Sequence, residues 1–326
     1  MGGFLAAPAT RRLALAGAAA VLVLLAVELG LRVAGAGAPA WHRPDALLGW
    51  RLRPYARGPH LGQYAQVNAF GQRDVAHDGD KPEGVYRIAV LGDEQSEAMG
   101  LALRDTWWWQ LPQELDRCGF ASGKKIEMLN FGVAGYSTAQ ESLVLETAAL
   151  RYRPDLVLLQ LSTGKDVGEN SRGLAGRLDR PFYGLDARGR LRLDDSFLDR
   201  RDFERRSQFR YELARALADH SRLAQLLAEV TLLGRAHADA GDAHGALVPP
   251  ADPRWAQAWH ITEALLQRMQ AYAGRNGARL VVVTAPSPLQ LERGLDYPDA
   301  RLEAFGAARN LPVIAIAPQL RPRRRE

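Results

Sequence analysis

The chain has 326 residues, with 42 Lys and Arg against 37 Asp and Glu, a formal net charge of +5. Hydrophobic residues make up 47% and charged residues 24%, the proportions of a globular protein, which excludes a disordered, collagen-like or simple coiled-coil chain. One cysteine, Cys118, excludes an internal disulfide framework and a multi-cysteine zinc site. Much of the basic excess sits near the two ends, and no basic stretch interleaved with aromatics points to nucleic acid.

In chain order, the first signal is Arg11-Arg12 followed by an apolar run from Leu13 to Val27, extended by Glu28 to Val33. Residues 13–34 are long enough to span a bilayer, which takes about 20 residues. Arginines before the run place residues 1–12 in the cytoplasm and the rest of the chain in the periplasm or cell exterior. The expectation is a single-pass inner-membrane protein with a signal anchor. A cleaved signal peptide is the competing reading, because Ala34-Gly-Ala36 and Ala36-Gly-Ala38 are small-residue cleavage patterns.

Residues 35–80 are rich in Gly, Pro and His and read as a linker and irregular lead-in. Five short apolar runs follow: 86–91, 125–130, 155–161, 279–283 and 311–316. Helix-period stretches at 105–118, 138–152, 254–275 and 299–309 separate or flank them. Strands alternating with helices predict a parallel sheet, and continuous apolar runs are what strands buried on both faces require. The expected domain covers 81–320, with an insertion at 171–250 and a basic tail at 321–326. Within the insertion, 182–193 reads as a hairpin turning at Asp186–Gly189. Asp202 to Ala236 reads as amphipathic helix with Leu213, Leu217, Leu223 and Leu227 on its apolar stripe. That stripe is expected to pack on the main domain, with a membrane or partner surface as the alternative. His237 and His244 lie in a Gly- and Ala-rich stretch and are expected to be solvated.

An open parallel sheet carries its sites at the carboxyl ends of its strands. The residues there are Gly92-Asp93-Glu94-Gln95-Ser96-Glu97, Gly132 to Ser137, and Thr163-Gly164-Lys165-Asp166. With Leu48-Gly-Trp50, Asn68-Ala-Phe-Gly71, Arg87 to Asp93 and Asn130 to Gly135, their order resembles the SGNH, or GDSL, hydrolase family in its membrane-anchored bacterial form. The resemblance implies an α/β three-layer sandwich with a five-stranded parallel sheet. It also implies ester hydrolysis by a Ser nucleophile, with backbone, Gly and Asn oxyanion donors and an Asp-x-x-His pair.

Carried onto this chain, the family's nucleophile position holds Glu94 and its Asn position holds Lys165; the oxyanion glycine is Gly135. The sequence given ends at Glu326 without an Asp-x-x-His after the fifth strand, which fits a degenerate or truncated relative. Ser96 is expected to cap a helix rather than act as nucleophile. Asp74-Val-Ala-His77 has the dyad spacing but precedes the first strand, and is read as chance. Asp93 and Asp166 are expected to brace their loops through backbone hydrogen bonds. A cation held by Asp93, Glu94 and Asp166 is the less favoured alternative, so no metal or cofactor is expected. Lys165 is expected to pair with Glu94 across the oxyanion position. Trp107-Trp108-Trp109, Trp255 and Trp259 are expected to be mostly core. The resulting reading is an inactive esterase-like protein binding a carbohydrate or a cell-envelope partner in the ancestral cleft. The alternative is an active ester hydrolase or O-acyltransferase, acting on acylated glycans through a rearranged site.

Overall fold

The computed structural model describes residues 8–208, 213, 216, 219–227 and 243–321. Leu217, His237, the side chain of His244 and most of the basic tail lie outside the described residues. An α-helix, α1 (Pro8–Val33), comes first; its stretch Thr10–Val33 is long and apolar enough to cross a membrane and none of that window is buried in the protein.

The lead-in is more regular than its composition suggests. It forms two antiparallel hairpins, β1 (His42–Asp45) with β2 (Gly49–Leu52), and β3 (Arg57–His60) with β4 (Gln63–Gln66). Trp41, Leu48, Trp50, Leu52, Ala65 and Val67 are buried in the main core, so this stretch is part of the domain rather than a linker.

The central sheet contains β5 (Val85–Leu91), β6 (Lys125–Asn130), β7 (Leu156–Ser162), β10 (Arg279–Ala285) and β11 (Val313–Ala315). All its pairings are parallel, in the order β11-β10-β7-β5-β6. Successive residues of a strand point to opposite faces. Accordingly Ile88 and Val90 pack with Trp108 of α3 (Trp107–Arg117), while Ala89 and Leu91 pack into the core on the other face. That second face is covered by α4 (Thr138–Thr147) and the long helix Pro253–Arg275, giving three layers. The five apolar runs are thus the five strands, and the fold is the α/β sandwich predicted from them.

Within the insertion, β8 (Phe182–Leu185) pairs with β9 (Leu191–Asp194) around the Asp186–Gly189 turn. Asp186 accepts the N–H groups of Arg188 (2.9 Å) and Arg190 (3.0 Å), which closes that turn. Trp108 is buried and its ring N–H donates to the Ser96 carbonyl at 2.8 Å, whereas Trp109 is partly exposed. Trp255 and Trp259 are both buried, as their spacing on one helix face predicts.

From β5 the chain steps outward to β6, then back across β5 to β7, and onward to β10. The connections diverge between β5 and β7, and a crevice opens at their carboxyl ends. Gly132, just after β6, lets that turn approach the segment after β5. A Cβ there would lie 2.5 Å from the Ser96 Cβ and 2.9 Å from the Glu97 nitrogen. Gly132→Ala is expected to destabilise the protein by roughly 1–3 kcal/mol, because backbone must yield. Gly184→Ala, with nothing within 4 Å, should instead be neutral or stabilise by about 0.5 kcal/mol. Chemical denaturation of the two variants in detergent checks the contrast.

Candidate functional site

A short helix, α2 (Glu94–Glu97), follows β5 directly, with Asp93 as its N-cap. Asp93 is fully buried; one carboxylate oxygen accepts the Gln95 N–H at 3.0 Å and the other the Ser162 hydroxyl at 2.7 Å. Asp166, at the start of the turn after β7, accepts the Ser162 N–H at 2.7 Å. Both aspartates therefore brace the ends of the two central strands, as expected from sequence.

Glu94 and Glu97 lie three residues apart and share one face of the helix. Both reach the glycine-containing turn after β6. Gly135 donates its N–H to Glu94 Oε2 at 3.0 Å, and Ala134 donates to Glu97 Oε2 at 2.5 Å. Gly135 has φ +80°, a left-handed conformation that favours glycine, and a Cβ there would lie 3.1 Å from the Trp50 ring. Trp50 fixes the same turn through its ring N–H, which donates to the Ala134 carbonyl at 3.0 Å.

Lys165 bridges the two sides of the crevice. Its ammonium lies 2.8 Å from Glu94 Oε2 and 3.2 Å from Asp93 Oδ2. The pairing of Lys165 with Glu94 is the one anticipated from sequence. It also puts an ammonium beside the carboxylates where the alternative reading would put a metal ion. Among the described residues, no group of three or more His, Cys, Asp or Glu is arranged to hold one.

Charge follows from this geometry. Burial opposes ionisation of Glu94, but the Lys165 charge, its hydrogen bond and the Gly135 N–H outweigh burial and hold the carboxyl below its ordinary range. Burial likewise opposes the charge on Lys165, and Asp93 and Glu94 overcome it, so its pKa lies above the usual lysine value. Behind them Asp166 and Glu141 are fully enclosed. Burial first pushes both carboxyls well above their normal range, helped by the Asp166 and Asp93 charges at Glu141 and by the Asp93 charge at Asp166. Neither oxygen of Glu141 has a hydrogen-bond partner among the described residues. Sequence reading placed Glu97 at the strand end without a role and missed Glu141. The spacing of Glu97 from Glu94 was the available signal; nothing local marks Glu141 as buried.

Two expectations change. Ser96 does not cap the helix, because the helix starts one residue after Asp93 and Ser96 falls within it. It is fully buried, pressed between Gly92 and Gly132, and its hydroxyl donates to Gln160 Oε1 at 2.9 Å. The Asp74/His77 spacing is not chance: the imidazole lies 3.1 Å from Asp74 and 2.9 Å from Glu127. Glu127 also pairs with the buried Arg87 at 2.7 Å, and Asp74 accepts the Asn130 N–H at 2.8 Å. The group closes the lead-in over the edge strand β6 and is a structural tie. His42 faces Glu97 at 3.5 Å.

Comparison with family models and with curated proteins finds no match. Among solved structures the chain is similar to a protein named TesA, at 14% identity and TM-score 0.35, covering 70% of this chain and 76% of that one. It is also similar to a GDSL-like lipase from Bacteroides thetaiotaomicron VPI-5482, at 12% identity and TM-score 0.29, covering 70% of this chain and 67% of that one.

Lys165→Met leaves the buried Asp93 carboxylate without its cation and should cost about 3 kcal/mol or more. Glu94→Gln removes a half-exposed partner and should cost about 1 kcal/mol or less. Denaturant midpoints of the two variants test that order. For His77, burial opposes the charged ring, but the hydrogen bonds and charges of Asp74 and Glu127 win and raise its pKa above 6.5. Its contribution is therefore complete below the unfolded value and fades as pH rises through the folded one. Unfolding free energy should fall between about pH 6 and pH 9 by more in the parent than in His77→Gln.

Proposed function

We propose that this protein is a membrane-anchored, extracytoplasmic relative of the SGNH esterases that binds a ligand without hydrolysing it. In this reading 1–12 is cytoplasmic, 13–34 is the anchor, and the α/β domain works outside the cell membrane. The observation that carries it is the occupation of two adjacent backbone donors, Ala134 and Gly135, by the carboxylates of Glu97 and Glu94.

An ester carbonyl is activated by donors aimed at the oxygen where negative charge develops. Here those donors already hold full negative charges. A developing oxyanion would have to displace Glu94 and then sit beside it. Glu94 is also a poor nucleophile for ester turnover, since its acyl product would be an anhydride. The nearest alcohol in sequence, Ser96, is enclosed and already donates to Gln160.

The ligand class follows from the same groups. The Glu94 side chain is half-exposed, and a carboxylate is an acceptor. A hydroxyl-rich ligand such as a cell-envelope carbohydrate can donate to it, whereas an ester carbonyl cannot. Hydrolysis of a short-chain aryl acetate by the full chain in detergent should match the blank. Glu94→Ser should remain inert too, because a hydroxyl alone brings no base. Turnover by the parent chain that is lost on Glu94→Ala would overturn the proposal.

A further inference from the structure

The anchor helix carries a carboxylate at an unusual depth. The fifteen apolar residues from Leu13 to Val27 rise about 22 Å, less than the roughly 30 Å hydrocarbon layer. Glu28 therefore falls at or inside the outer boundary of the hydrocarbon, where lipid tails offer no hydrogen bonds. Protein supplies them instead. Glu28 accepts the Arg222 N–H at 2.9 Å, the Leu223 N–H at 3.1 Å and the Ser221 hydroxyl at 3.2 Å. One turn later, Arg32 donates to Glu28 at 2.9 Å and to the His220 carbonyl.

The same segment is fixed from the domain side. Arg222 donates to the Gly37 carbonyl at 3.0 Å, and Arg53 pairs with Asp219 while donating to the Ala40 carbonyl at 2.8 Å. Residues 222–227 are helical, and Leu223, Leu226 and Leu227 have the spacing of one helix face. Leu227 is 60% exposed to solvent although it is apolar. A segment held at the depth of Glu28 sits level with the headgroup layer.

We propose that residues 219–227 form a bilayer-surface seat, tethered through Glu28 and Arg32 of the membrane helix, that presses the domain against the lipid headgroups. The occupant of the exposed Leu227 face is the membrane surface. The inference rests on the membrane-spanning reading of the first helix.

The test uses the full chain with Cys118→Ser, reconstituted in vesicles of phosphatidylcholine and phosphatidylglycerol. Single cysteines at Leu24, Leu227 or Leu193 carry an environment-sensitive fluorophore. The quencher is a phosphatidylcholine with a nitroxide near the top of its acyl chain. A probe lying about 5–10 Å into the interface should lose at least about half of its emission. That loss is expected at position 227 and not at position 193, on β9, whose partner strand is β8 and which shares none of the anchor contacts named above. Quenching at 24 with none at 227 overturns the seat and leaves the anchor standing. No quenching at 24 overturns the anchor and the seat with it. In Glu28→Ala the 227 probe should escape the quencher and shift to the red; unchanged quenching there removes the tether.

Discussion

The crevice is organised by one ammonium among carboxylates. Asp93 follows β5, beside the central strand β7, and is wholly enclosed, and Lys165, from the turn after β7, is the cation within reach of it. At an effective dielectric of about 20, two unit charges about 3 Å apart attract by roughly 5 kcal/mol, most of it offset by desolvation. The pair is thus worth little as net stabilisation, yet neither partner tolerates loss of the other. That asymmetry ties the two switch-point strands together and sets where Glu94 can lie.

Glu94 and Glu97 together occupy the donor pair of the turn after β6, at Gly135 and Ala134 respectively. Hydrogen bonds to charged groups are worth about 1.5–3 kcal/mol each. Displacing both glutamates would therefore cost several kcal/mol before any transition-state stabilisation is gained. A carboxylate at this position fills the electrostatic role that a substrate oxygen would need at the Gly135 N–H. Behind it, burial first and then the Asp93 charge push the carboxyls of Asp166 and Glu141 well above their normal range.

Much of this was legible in the chain. Strands buried on both faces announce themselves as unbroken apolar runs, and the residues following them fall at the crevice by topology alone. The lead-in was misjudged because its strands are four residues long and carry His42, Arg43, Pro44 and Asp45, which show no alternation. What holds it in place is tertiary: Trp41, Trp50 and Leu52 enter the main core. Ser96 falls three residues past the actual N-cap, Asp93, and in a four-residue helix that offset changes its role from cap to buried donor. Glu141 sits in a helix whose first turn reads as polar, and only the packing of α4 on the sheet beside the long helix Pro253–Arg275 reveals its enclosure.

The lead-in also decides how site and anchor are coupled. Trp50, on β2, holds the turn that carries Ala134 and Gly135, and Arg53, just past the end of the same strand, grips Asp219 beside the anchor's last turns. Three residues of extended chain separate these two contacts, roughly 10 Å. A flexible linker would let the crevice tumble freely above the membrane. A short strand pinned at both ends, with its indole beneath Gly135 and the Tyr136 hydroxyl donating to the Trp50 carbonyl at 2.6 Å, fixes the distance instead. The proposed seat and the proposed binding site would then share one rigid element, and a ligand reaching Glu94 would be met within a few residues of the lipid surface.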